Sequence, residues 1–139
     1  MKRSIWKTSL GIFAILFGAL TIVSGGKVLF GNLAAVQAAG DVVDFVLWFN
    51  FLSGPIYILA GVAILLGKNW AKPVSAVLAV SIVLVFAMFG WHISSGGAYE
   101  VRTLGAMILR SGFWVIVAWV LFRTKPSDTS ISQVVRRQT

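Results

Sequence analysis

Four long apolar segments, each almost free of charged residues, dominate this sequence and limit what it can fold into. They run over residues 10–26, 42–67, 74–93 and 104–122. A helix that crosses the hydrocarbon core of a bilayer needs about 20 residues, which is close to the length of these segments. Each segment must satisfy its backbone polar groups internally in hydrocarbon, so each is predicted to be a helix. The sequence therefore predicts an all-α polytopic membrane protein with a bundle of four transmembrane helices.

The composition excludes a soluble globular enzyme. Apolar residues make up 58% of the chain and charged residues only 12%, with a mean hydropathy of +0.91, whereas soluble domains carry about 25% charged residues. The chain contains no cysteine, which excludes a thiolate metal site, an iron–sulfur cluster or a thiol redox centre within it. We therefore expect no intrinsic cofactor, and we do not expect the chain to be an enzyme on its own.

The whole chain is expected to form one domain with a short polar tail. Residues 1–125 are assigned to the transmembrane domain and residues 126–139 to a flexible cytoplasmic tail. The expected spans are about 8–26, 42–67, 73–93 and 103–122. The connection between the first two spans, residues 27–41, is largely apolar and is predicted to form a helix at the membrane interface or against the bundle.

Positive charge is unevenly divided between the connections. If the N-terminus is cytoplasmic, nine of the twelve cations fall on the cytoplasmic side: Lys2, Arg3, Lys7, Lys68, Lys72, Arg123, Lys125, Arg136 and Arg137. This asymmetry predicts that both termini are cytoplasmic in a multi-pass membrane protein. The positive-inside rule also explains the net charge of +8, so the lipid bilayer, and no nucleic acid, is the expected partner.

A second interpretation of the first segment remains open. Lys2 and Arg3 followed by an apolar stretch also resemble a secretory signal, although the nearest small-residue pattern to a cleavage site is Val23-Ser24-Gly25. Cleavage there would leave three spans.

Glycines repeat every seven residues in three of the four segments. Small residues let helices approach closely in lipid, and a period of seven keeps them on one face. We therefore expect the seams of the bundle at Gly11, Gly18 and Gly25, at Gly54 and Gly61, and at Gly105 and Gly112.

Ionisable and polar residues gather near the predicted outer ends of the spans. Arg110 lies eight residues after Arg102 and Asn50 eight residues after Val42, so both should lie about 12 Å below the outer ends of their helices. A charge within the membrane is costly and needs a partner or a function. The candidate ligand-binding residues are Asp44, Asn50, His92, Glu100, Arg102 and Arg110.

Three interpretations of this outer polar cluster are open. Structural pairing would join Arg110 to Asp44, and Glu100 to Arg102 or His92, because polar groups often hold helices together. A functional site would bind a quinone headgroup, an anionic ligand or a proton. A third possibility is contact with a partner subunit. A metal site is not expected, because His92 has too few neighbouring ligands for one.

Several glycine-rich motifs resemble those of the DoxX-type membrane proteins. They are Gly18, then Gly25-Gly26-Lys27, Phe30-Gly31 and the stretch Leu52-Ser-Gly-Pro-Ile-Tyr-Ile-Leu-Ala-Gly-Val-Ala-Ile-Leu-Leu-Gly67. The resemblance implies a small bacterial inner-membrane subunit associated with quinone-linked redox enzymes, with Lys27 as the motif residue. We therefore expect an accessory subunit that handles quinone beside other membrane or redox subunits. The alternatives are a small transporter or channel component and a purely structural or assembly subunit.

Overall fold

The computed structural model describes residues 5–123 and residue 136, and within that part of the chain all regular structure is helical. Five helices follow one another: α1 (Ile5–Phe30), α2 (Leu33–Ala39), α3 (Asp44–Leu65), α4 (Ala71–Ser94) and α5 (Val101–Arg123). All except α2 have at least 22 residues and are apolar enough to cross a membrane. The predicted all-α fold with four membrane-spanning helices is confirmed. Except for Arg136, the predicted tail lies outside the described residues.

The four long helices alternate in direction, so one end of the bundle holds the C-terminal ends of α1 and α4 and the N-terminal ends of α3 and α5. We call this the outer end. Large apolar side chains are exposed along all four helices, among them Leu20, Leu59, Leu84 and Ile116. A soluble protein does not expose apolar surface on this scale. The distribution indicates an integral membrane protein whose helices face lipid.

The seam between α1 and α3 is built on facing glycines. A Cβ atom added at Gly18 would lie 2.7 Å from the carbonyl oxygen of Gly54, and one added at Gly61 would lie 2.7 Å from that of Gly11. Side chains at these positions would prevent the two backbones from approaching so closely. The predicted glycine seam is therefore confirmed for α1 and α3.

The prediction that Gly105 and Gly112 line a seam is wrong. Both are exposed, and a Cβ atom added at either would meet nothing within 4 Å. The buried residues of α5 include Met107, Arg110 and Trp114, and successive residues of an α-helix are about 100° apart. Gly105 and Gly112 each lie two residues from one of these positions, on the opposite face of α5.

Aromatic side chains fill the middle of the bundle. The ring of Tyr57 lies between those of Phe17 and Trp114, with centroid distances of 5.8 and 4.9 Å. Tyr57 and Trp114 are fully buried. Trp114 follows Arg110 by one helical turn, so this aromatic layer closes the bundle just inside the buried arginine.

The connection between α1 and α3 contains the short helix expected there. The side chain of Asn32 caps α2 by accepting a hydrogen bond from the backbone N–H of Ala35 at 3.0 Å. No residue of α2 is buried. The segment lies over the outer end of the bundle and does not enter its core.

Candidate functional site

A cavity of about 300 Å³ lies at the outer end of the bundle, between α1, α3 and α5. Its walls are largely apolar, but Asn50, Glu100, Arg102 and Arg110 all contribute to its lining. The structure therefore brings together four of the six residues predicted from their depth and charge. The other two, Asp44 and His92, lie elsewhere.

Arg110 is buried in the wall of this cavity and keeps an unused hydrogen-bond donor. Its side chain is 8% exposed. One terminal nitrogen, Nη2, donates to the hydroxyl of Thr21 at 3.3 Å, and the guanidinium carbon lies 5.5 Å from the ring centroid of Phe17. The Nε atom is buried and has no hydrogen-bond partner. A buried N–H without a partner carries a desolvation cost of about 1–3 kcal/mol, which a ligand could relieve.

Asn50 offers the complementary group. It is 8% exposed, it also lines the cavity, and its side-chain oxygen Oδ1 is buried without a hydrogen-bond partner. The predicted similarity in depth of Asn50 and Arg110 agrees with their presence in one cavity. The site thus contains an unpaired acceptor and an unpaired donor within apolar walls, an arrangement suited to a ligand that both accepts and donates hydrogen bonds.

The expected pairing of Arg110 with Asp44 is wrong. Asp44 is exposed and does not line the cavity, whereas Arg110 contacts Thr21 and Phe17. The buried face of α3 includes Val46 and Asn50. Asp44 lies about 200° around the helix axis from Val46, at about 100° per residue. Rotation about the axis of α3 therefore turns the carboxylate away from Arg110.

Glu100 and Arg102 form hydrogen bonds with backbone groups of the connection between α1 and α3. The expected pairing of Glu100 with Arg102 or His92 is therefore also wrong. The carboxylate oxygen Oε1 of Glu100 accepts a hydrogen bond from the backbone N–H of Asp41 at 2.9 Å. Arg102 Nη2 donates to the carbonyl oxygen of Ala38, also at 2.9 Å. Both side chains thus connect the start of α5 to the segment before α3.

His92 lies on a different surface. Its Nε2 atom is 3.0 Å from the carbonyl oxygen of Ala98, and its ring meets that of Phe45 edge-on at 6.3 Å. It lines a second, shallow and almost wholly apolar groove between α3 and α4. His92 therefore holds the turn that follows α4 and does not contribute to the cavity with Arg110.

Lys27, the residue suggested by the DoxX-type resemblance, is exposed in the last turn of α1 and does not line the cavity. Within residues 5–123 and 136, no group of three or more His, Asp or Glu side chains is arranged to hold a metal ion.

Thr21 is a site residue that the sequence analysis missed. It is 3% exposed, lines the cavity and accepts the hydrogen bond from Arg110. A signal for it exists in the sequence: Thr21 follows Ala14 and Gly18 at the spacing of one helix face, and all three are buried. A polar residue on the glycine face of α1 had to point into the bundle.

The comparisons with known proteins add no family assignment. No protein-family model, curated protein or solved structure matches the chain.

Proposed function

We propose that this chain is an accessory membrane subunit of a quinone-linked redox complex, and that its outer cavity binds the quinone headgroup. The observation that carries the proposal is the pair of unpartnered polar atoms in one apolar cavity, Arg110 Nε and Asn50 Oδ1. Neither atom has a hydrogen-bond partner, and the residues that carry them both line a space that a ring could enter.

The polar atoms of a quinone fit this pair. The N–H of Arg110 can donate to a ring carbonyl, and Asn50 Oδ1 can accept from the hydroxyl that replaces a carbonyl on reduction. The cavity volume, about 300 Å³, lies at the lower end of the range for small-molecule sites. When bound, such a headgroup would supply two-electron redox chemistry to a partner enzyme. The role of this chain would be to hold and orient it.

The choice of quinone over other amphiphiles has a second support. The glycine motifs resemble those of DoxX-type proteins, and that resemblance implies a small subunit beside quinone-linked enzymes. The absence of cysteine from the sequence and the single histidine leave the electron-transfer step to a partner. The proposal therefore assigns quinone binding to this chain and oxidation or reduction to another subunit.

Quinone-analogue binding to the purified full chain in lipid nanodiscs tests the proposal. A short-chain ubiquinone or menaquinone analogue should bind saturably and quench tryptophan fluorescence, because Trp114 lies one turn from Arg110. Arg110→Gln should raise the dissociation constant about 10- to 100-fold, the value of a hydrogen bond to a charged group. The absence of saturable binding to the unmodified protein would refute the proposal.

The matched control is Arg123→Gln. Arg123 is exposed at the opposite end of the same helix, where its guanidinium lies 4.5 Å from the ring centroid of Trp119. This variant removes the same charge from α5 and should leave the dissociation constant unchanged. Equal losses from both variants would indicate a general charge effect and would contradict a specific role for Arg110.

A small transporter or channel component is the second candidate, and a specific observation favours it. Ser111 Oγ and Trp114 Nε1 lie inward of the cavity, are buried and have no hydrogen-bond partners among the described residues. Ser75 Oγ, in the first turns of α4 at the other end of the bundle, is also buried without a hydrogen-bond partner among the described residues. Water that entered from the cavity could satisfy such groups.

Flux measurements separate the two candidates. Proteoliposomes containing the full chain should release trapped anions or protons faster than empty vesicles if the chain is a transporter, and Arg110→Gln should abolish the difference. Flux equal to that of empty vesicles, together with saturable binding of the quinone analogue, would favour the accessory-subunit role.

A further inference from the structure

The connection between α1 and α3 lies at the outer cavity and is bonded there to two side chains, those of Glu100 and Arg102. We propose that residues 31–43, which contain α2, form a cover over the mouth of the outer cavity, held closed by the side chains of Glu100 and Arg102. The inference concerns access to the proposed quinone site and in that respect rests on the proposed function, but the movement itself can be measured without any ligand.

The position of the cover is the first support. Ala39, Val42 and Val43 of this segment line the cavity, and so do Glu100 and Arg102. The two hydrogen bonds between cover and α5 therefore lie at the edge of the cavity. Displacement of the cover would open that edge to solvent or to the membrane interface.

The way in which the cover is held is the second support. The groups that it contributes to these hydrogen bonds are the backbone N–H of Asp41 and the backbone carbonyl of Ala38. No residue of α2 is buried, and the helix packs against the neighbouring α1. Val43, at the end of the segment, is 6% exposed and belongs to the core. Little apolar burial opposes the movement of α2 itself, so the side chains of Glu100 and Arg102 supply much of what keeps it closed.

Gly40 allows the cover to lie very close to the side chain of Glu100. Its φ angle is +73°, in the region that favours glycine, and a Cβ atom added there would collide with the carboxylate of Glu100. The glycine allows both the turn that ends α2 and the approach of the Glu100 side chain to the backbone of Asp41. A side chain at this position should therefore open the cover without any change in α5.

Cysteine labelling of the full chain tests the cover, because the natural sequence has no cysteine. Val46→Cys places a thiol in the cavity wall at a residue that is 1% exposed. The rate of its reaction with a charged maleimide in nanodiscs should rise about 3- to 10-fold for each hydrogen bond removed, by Glu100→Ala or by Arg102→Ala. Gly40→Ala should raise it as well.

Three controls make the result specific. Glu100→Gln keeps an acceptor oxygen and should stay close to the unmodified rate. A thiol at Ser95, which is exposed in the turn after α4, should react equally in all backgrounds. Melting temperatures of the variants show whether the bundle stays folded, and Gly40→Ala, which leaves α5 unchanged, provides the test if an α5 variant unfolds.

The outcomes separate the cover from the proposed function. Unchanged labelling of the residue 46 thiol in folded Glu100→Ala, Arg102→Ala and Gly40→Ala proteins overturns the cover, whether or not a quinone analogue binds. Faster labelling in these variants supports the cover. If the analogue fails to bind in that case, only the proposed ligand is wrong.

Discussion

The guanidinium of Arg110 donates a hydrogen bond to the hydroxyl of Thr21 at 3.3 Å, joining α5 to α1 inside the bundle. A buried cation would ordinarily be held by a carboxylate, but this one is held by a neutral hydroxyl and by the ring of Phe17. The charge is thus positioned without being neutralised. This relationship holds the guanidinium in the wall of the cavity and leaves Nε without a hydrogen-bond partner.

Replacement of Thr21 by valine should destabilise the bundle. Valine has nearly the same shape but removes the acceptor for Arg110, so a buried donor loses its partner at a cost of about 1–3 kcal/mol. Thermal unfolding in detergent micelles, followed by circular dichroism, measures the change.

Thr8→Val is the matched control for this prediction. Thr8 lies near the N-terminal end of α1, is partly exposed, and is far along the helix from Arg110. Its replacement should change the unfolding free energy by less than about 0.5 kcal/mol. Equal losses at residues 8 and 21 would contradict a special role for the hydrogen bond.

The sequence predicted how far along their helices the residues of this site lie, but it did not predict which way their side chains face. Counting residues along α3 and α5 brought Asn50 and Arg110 to one level, and the cavity contains both. The same count could not say which way a side chain faces. Asp44 was expected beside Arg110 but lies on the opposite side of α3, and Thr21 took its place because the glycine face of α1 turns inward.

Alanine at Gly18 should disrupt the seam between α1 and α3. The added Cβ atom would lie 2.7 Å from the carbonyl oxygen of Gly54, so the two backbones must separate. Overpacking of this kind costs about 1–3 kcal/mol. The unfolding free energy of Gly18→Ala, measured by denaturant titration in micelles, should fall by that amount.

Gly112→Ala should instead raise the free energy of unfolding. Its added Cβ atom would meet nothing, and alanine favours a helix over glycine by about 0.5–1 kcal/mol. A large loss of stability from Gly112→Ala would show that this face of α5 packs against another protein chain.

These glycines also show why a sequence pattern can be right for one helix and wrong for another. The seven-residue period of α1 and α3 marks their contact, because the glycines of each meet the backbone of the other. In α5 the same period falls on the exposed face. Periodicity identifies a face of a helix, but the neighbour of that face depends on how the four helices are arranged, which the period does not encode.

Asn50→Leu should stabilise the bundle and weaken the site. The side-chain oxygen of Asn50 is buried without a partner, and its removal should raise the unfolding free energy by about 1 kcal/mol. The same change removes the acceptor offered to a quinol hydroxyl, so the dissociation constant of a reduced quinone analogue should rise about three- to tenfold. Opposite changes in stability and affinity are expected of a binding residue.

Asn69→Leu is the control for that pair of measurements. Asn69 is exposed between α3 and α4, away from the cavity, and its replacement should leave the dissociation constant unchanged. If Asn50→Leu instead lowered stability and left binding unchanged, Asn50 would be a structural residue, and the proposed acceptor would have to be abandoned.

The orientation of the bundle remains a prediction from charge. Both chain ends should lie in the cytoplasm, because nine of the twelve cations then flank the inner ends of the spans. Ser95→Cys, in the exposed turn after α4, should react with an impermeant maleimide added to intact cells. Asn69→Cys, between α3 and α4, should react only after permeabilisation. The reverse pattern would place the cavity and Arg110 on the cytoplasmic side, so that a ligand would reach the site from the cell interior.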